Sequence, residues 1–306
     1  MTTLFVTTGG RYVDIDGFGC VVAYTELLRL EGKGAQTLLL GPINHSVPKS
    51  VRLQKMPYKT EQDTEGGLVI MDVSDPNYLA QFYKLETVVE IFDHHFGFEK
   101  YWQEKLGDSA HIDAVGSCTT LVWEAFKNRG FEQNISTLSA NLLAMAIVSN
   151  TLNFKASVTT TRDSAAFKEL QAYIDLPENW IETYFTETEQ DIFTNTQAVI
   201  ANDTKIQEIP NLHKTFVIGQ IELWDSRKFI ENHQKDIDAV LESFENPDWF
   251  MTSPSISEGK NYIYTKSEYI QDLFSKYFDV EFKGNIGTTK KLWMRKEILK
   301  VTYEIK

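Results

Sequence analysis

Short apolar runs alternate with amphipathic stretches through the first half of the chain. "TLFVTT" predicts a strand, "GFGCVVAYTELLRL" a helix and "AQTLLLG" a second strand. "GLVIMDVSD" and "VVEIFDHH" supply two more strands, with "PNYLAQFYKL" as a short helix between them. Apolar strands separated by helices predict a parallel sheet covered on both faces. Helices then dominate: "SCTTLVWEAFKNRG" with Ser117 as its N-cap, the deeply apolar "NISTLSANLLAMAIVSN", "TRDSAAFKELQAYI" and the stretch from Trp180 to Ile200. Near residue 203 the pattern changes again. "KTFVIGQIEL", "WFMTS" and "NYIYT" read as strands, residues 227–244 and "SEYIQDLFSKYF" as helices, and "LWMRKEILKVTYEI" as a closing strand. The expected fold is α/β, an N-terminal doubly wound and largely parallel sheet with a smaller C-terminal α/β domain. The expected bounds are 1–185 for the first domain, 186–200 for an acidic, Thr-rich connector and 201–306 for the second.

Ligands of such sheets meet the loops at the carboxyl ends of the strands, which is where the acidic residues occur. Asp14 and Asp16 follow the first strand, Asp72 ends "LVIM", and Asp93, His94 and His95 end "VVEIF". Carboxylates with an imidazole suit a divalent cation such as Mn or Mg. Asp14 and Asp16, two apart, would point the same way on an extended segment, while the alternative is a polar turn capping the next helix. Asp75, just before Pro76, reads as a turn or N-cap and is left outside the site.

Composition narrows the setting. The 306 residues suggest two domains more readily than one, and 42% hydrophobic residues argue against predominant disorder. A formal charge of −13 disfavours long nucleic acid as a partner, so positive charge for phosphate must be concentrated locally. No secretory or membrane-spanning segment is evident, which makes a cytoplasmic protein the expectation. Cys20 and Cys118 are expected as buried small side chains. His111, His213 and His233 have no comparable convergence, and the aromatics are spaced like core residues rather than a nucleobase platform.

"VDIDGFG", "VIMDVSD", "IFDHHFG" and "AVGSCTTLVWE", followed in order by "AIVSNTLNFKASVTTTRD", "NDTKIQEI" and "MRKEIL", resemble the DHH phosphoesterase family. The similarity is to its manganese-dependent inorganic pyrophosphatases and prune-like exopolyphosphatases, and it covers almost the whole chain. The resemblance implies a DHHA2-like second domain acting as a substrate-binding lid. It also implies Asp14, Asp16, Asp72 and His94 as metal ligands, with Mn2+ preferred and Mg2+ possible. His95 would meet substrate phosphate and Asp93 would orient the histidine pair. Lys205, Arg295 and Lys296 match phosphate-contacting positions, and Gly116 and Ser117 could approach phosphate at a helix N-terminus.

Two positions depart from the pyrophosphatase pattern. The early histidine, four residues before Asp14, is replaced by Gly10, and the aspartate of an "SDT" segment by Asn150, a weaker partner for a cation or an outer-sphere group. The expected activity is metal-dependent hydrolysis of pyrophosphate, short polyphosphate or another small phosphorylated substrate. A catalytically weakened phosphate- or nucleotide-binding protein and a small-nucleotide phosphodiesterase remain as alternatives. A homo-oligomer is left open.

Overall fold

Five parallel strands form the first sheet: β1 (Leu4–Thr7), β2 (Ala35–Thr37), β3 (Gly67–Met71), β4 (Val88–Asp93) and β5 (Ala110–Ile112), in the order β2-β1-β3-β4-β5. The computed structural model describes residues 3–52, 57–61 and 66–305, apart from the side chains of Asp191 and Lys296. In register, Phe5 pairs with Leu68 and Ile70 with Ile91, so apolar runs lie side by side. Phe5, Leu68, Ile70, Ile91 and Trp102 make one core cluster. Helices Ile15–Leu30, Cys118–Asn128 and Thr137–Asn150 pack on one another, each dense in buried residues. The chain winds outward from β1 in both directions, and the reversal of strand order falls between β1 and β3. That crevice is where open α/β sheets take their ligands.

The chain divides into two compact units, one of residues 1–154 with 158–184 and one of 155–157 with 185–306. The stretch expected as a connector is helical, in Trp180–Thr194 and Thr196–Asn202.

The second unit carries a six-stranded mixed sheet: β6 (Lys205–Ile209), β7 (Lys214–Gln220), β8 (Trp249–Ser255), β9 (Lys260–Tyr264), β10 (Glu281–Lys283) and β11 (Ile286–Thr288). Its order is β10-β11-β9-β8-β7-β6, antiparallel except for β7 beside β8. Side chains alternate between its faces with period two. Val217, Trp249, Met251, Tyr262 and Tyr264 join one core cluster, while Phe216, Ile218, Phe250 and Ile263 join another. Both faces are buried, hence the uninterrupted apolar runs.

Two expectations need correction here. The helix expected over 227–244 breaks at His233 into Ser226–Asn232 and Gln234–Leu241. The closing segment is a helix, Arg295–Glu304, rather than a strand. Its buried positions, Arg295, Ile298 and Thr302, fall three and four residues apart, a helical spacing. Glu297 closes its start by accepting from the Met294 amide at 2.8 Å.

Candidate metal centre

Asp14 and Asp16 do not share an extended segment. Asp14 is the N-cap of helix Ile15–Leu30, accepting from the Gly17 amide at 3.0 Å, so its capping alternative holds. Asp16 lies in the first turn and points inward, 1% exposed. Gly17 is needed there because a Cβ would stand 2.7 Å from the Thr8 hydroxyl. Burial, and then the neighbouring Asp16 charge, raise the Asp14 pKa.

Asp72 ends β3 in a left-handed conformation, φ 61°, its amide donating to the Phe92 carbonyl on β4 at 2.8 Å. Such a backbone is uncommon outside glycine but tolerated by Asp and Asn. The carboxylate is buried, and Oδ1 has no hydrogen-bond partner among the described residues. His94 lies beside it. Its Nδ1 is 3.0 Å from the Val115 carbonyl, which can only accept, so Nδ1 carries the proton. Nε2 therefore faces Asp72 Oδ1 at 3.3 Å and Asp16 Oδ2 at 3.6 Å. A nitrogen lone pair and a carboxylate oxygen at that distance repel unless a cation or a proton lies between them.

The titration behaviour follows from this crowding. Burial, then Asp16, Asp14 and Asp93, push Asp72 well above the usual carboxylate range. Burial would lower His94, yet the charge of Asp16 and the Val115 hydrogen bond leave it raised.

Asp93 is fully buried under the histidine pair. Its Oδ1 accepts from the amides of His94 at 2.8 Å and His95 at 3.2 Å, and holds His95 Nδ1 at 2.8 Å. Orienting imidazoles through their second nitrogen is how such carboxylates serve metal sites. The His95 side chain, 63% exposed, is thereby turned edge-on to His94 with ring centroids 4.5 Å apart. Ligand atoms of Asp72, His94 and His95 all lie within 4.8 Å of one another. This donor set, with an orphaned buried oxygen at its centre, fits a divalent cation.

Asp16 sits differently. Its Oδ1 accepts from the Ser117 hydroxyl at 2.8 Å and the Thr119 amide at 3.0 Å; its Oδ2 accepts from the Cys118 amide at 2.9 Å and from the Asn150 side-chain amide. Ser117 caps helix Cys118–Asn128 as expected, but its hydroxyl is committed to Asp16. The Gly116 amide donates to Asp163 Oδ2 at 2.9 Å. That amide is aimed at a carboxylate, contrary to the expected approach to phosphate.

Lys205 and Arg295 belong to the second unit. Lys205 opens β6 and is exposed, whereas Arg295 is buried, its guanidinium 2.8 Å from Asp203 Oδ1 and bonded to the Asp203 carbonyl. Arg295 is thus paired within its own unit, and the Lys296 side chain lies outside the described residues. Gly10 faces the Phe82 ring, which a Cβ would approach to 2.3 Å at Cδ1. Cys20 and Cys118 are buried as expected.

The sequence reading missed the walls of the site. A cleft of about 320 Å3 beside Asp14, Asp72 and His95 is lined by the aromatics Tyr12, Tyr78, Phe96 and Phe98. Tyr12 is 57% and Phe96 76% exposed. These residues depart from the core-like spacing expected of the aromatics. Phe96 directly follows the histidine pair and Tyr12 precedes Asp14 by two, a proximity in sequence that could have flagged them. Asp163 was also missed, although "TTRD" places it at the third position after its N-cap Thr160, with which it forms a capping box.

No protein-family model matches the chain. The chain is 26% identical to the probable manganese-dependent inorganic pyrophosphatase of Lactobacillus delbrueckii over 252 residues, 78% of this chain and 75% of that one. It is 25% identical to that of Clostridium acetobutylicum, covering 93% and 92%. In fold it matches a Methanococcus jannaschii protein assigned to the family II inorganic pyrophosphatases, TM-score 0.64 at 20% identity, covering 98% of this chain and 100% of that one. An exopolyphosphatase-related protein of Bacteroides fragilis matches at TM-score 0.52 and 12% identity, covering 99% and 90%. The protein is thus a two-sheet α/β chain with the fold of a family II pyrophosphatase. More particularly, in sequence it resembles the manganese-dependent inorganic pyrophosphatases.

Proposed function

We propose that the protein is a divalent-metal-dependent hydrolase of phosphoanhydride bonds, acting on pyrophosphate or short polyphosphate. The observation that carries this reading is Asp72 Oδ1, buried without a partner and facing His94 Nε2 at 3.3 Å. Asp72, His94 and His95 would hold the cation, with Asp14 beside them, and imidazole donors favour Mn2+ over Mg2+. When bound, the ion supplies Lewis acidity to a phosphoryl oxygen and to the attacking water. The chain's own groups do the rest. Asp93 fixes the His95 ring at the cleft, where its Nε2 would be free to hold the ion or a phosphate oxygen. Asp14 lines the same cleft, and its raised pKa suits it to take a proton from water.

Phosphate release from pyrophosphate and linear tripolyphosphate, and release of nucleoside monophosphates from small dinucleotides, with Mn2+ or Mg2+, test the reading. Mn2+-dependent release from pyrophosphate, lost in Asp72→Asn, is expected. Full Mn2+ occupancy with no release from any of these substrates would leave a phosphate-binding protein instead.

A second reading is favoured by the aromatic lining. Tyr12 and Phe96 offer exposed faces beside the cation site, on which a nucleobase could stack. On this account the substrate is a small nucleotide. Phe96→Ala would then lower kcat/KM for a dinucleotide about tenfold while leaving pyrophosphate unchanged.

A further inference from the structure

The commitments of Asp16 bear on how many ions the site takes. A carboxylate offers about four lone-pair directions. All four of Asp16 are taken: two on Oδ1 by the Ser117 hydroxyl and the Thr119 amide, two on Oδ2 by the Cys118 amide and Asn150. A fifth group, the Cys20 thiol, leans on Oδ1 at 3.8 Å. Three of the four donors come from the turn that opens helix Cys118–Asn128, and the fourth from the last residue of helix Thr137–Asn150. Asp72 shows the opposite condition, its buried Oδ1 having no donor among the described residues. The two carboxylates beside His94 are therefore unlike: one is satisfied by protein and one awaits a cation.

We infer that the chain holds a single divalent ion, at Asp72, His94 and His95, and that the Asn150 amide keeps Asp16 out of coordination. An uncharged side chain at residue 150 can satisfy Asp16 by donating to it, whereas a carboxylate there would need a cation between the two. The Phe82 ring fills the space any side chain at Gly10 would enter, so this chain has no ligand to offer from that position. The inference rests on the proposed metal role of the site but not on turnover.

Metal content decides it. Native mass spectrometry at saturating Mn2+ should find one ion per wild-type chain. Asn150→Asp, expressed and purified in Mn2+ so that folding does not depend on the apo state, should carry two. Anomalous diffraction from Mn2+-soaked wild-type crystals should place one peak at coordination distance from Asp72 and His94, with Asp16 not a ligand. Two ions on the wild type, a peak ligated by Asp16, or a single ion on folded Asn150→Asp would each overturn the inference. Two ions would leave the proposed hydrolase reading intact. No bound ion at all would remove both.

Discussion

Asp72 carries two costs when no cation is bound: a left-handed backbone of roughly 1 kcal/mol or more and a buried carboxylate oxygen without a donor. Asparagine tolerates the same backbone and removes the charge. Asp72→Asn should therefore raise the melting temperature of the metal-free protein while abolishing the further rise on adding Mn2+, both read by thermal scans. Gly10 makes the converse case. Gly10→His forces a Cβ into the Phe82 ring and should cost about 1–3 kcal/mol in urea unfolding, an overpacking penalty that Phe82→Ala in the same chain relieves. In the second unit, burial pushes Glu189 up to about 7, with its carboxylate accepting from the Trp224 amide. A carboxyl raised on folding is fully stabilising below its unfolded pKa of 4.5, and that contribution is lost as pH climbs through about 7. Because the side chain keeps some contact with water, the loss is roughly 1–2 kcal/mol. Glu189→Gln should flatten stability between pH 4.5 and 7 and gain that much at pH 8. Equal pH profiles for the two proteins would contradict this.

Helix starts do much of the positioning around the site. Asp163 accepts from the Gly116 amide at 2.9 Å, from Thr120 Oγ1 at 2.7 Å, and from the Thr160 amide and hydroxyl at 2.7 Å each. It thereby joins the start of helix Thr161–Leu170 to the turn that wraps Asp16. Gly116 admits this approach because a Cβ would stand 2.9 Å from Asp163 Oδ2. Asp163→Asn turns one acceptor into a donor facing donors, and should cost about 2–4 kcal/mol in denaturant unfolding. With Asp72 and His94 on neighbouring strands, Mn2+ affinity should fall by less than about tenfold, or 1.4 kcal/mol. A larger loss measured by calorimetry would mean that the Gly116 turn itself holds the ion.

The two units have separate cores, and the candidate ligands all lie in the first. Binding to the native state alone stabilises the part that carries the site. Mn2+ without substrate should therefore slow amide exchange around Asp72 and in residues 93–96. Exchange in β7 and β8 should not change. Equal slowing in both units would show that the ion is not confined to the first. Among the described residues no helix is long and apolar enough to cross a membrane.

Strands β1 to β4 were legible in the amino-acid sequence because apolar runs with buried neighbours on both faces have few alternatives to a parallel sheet, whereas β5, β6, β10 and β11, short or largely exposed, were not. The same logic placed Asp72 and His94 together, since strand ends in such a sheet converge at one edge. It failed at "LWMRKEILKVTYEI", where apolar residues are dense enough to satisfy either period and only the burial of Arg295, Ile298 and Thr302 selects the helix. Tertiary structure alone decided what each polar group faces. Asp16 reads in sequence as a ligand equal to Asp72, yet its donors come from residues 101 to 134 positions away. Asp72 has none. A carboxylate is free to hold a cation only if its lone pairs are not already filled, and that depends on contacts across the fold. The ring of Phe82 over Gly10 and the aromatic walls of the cleft are likewise long-range contacts, so local spacing cannot specify them.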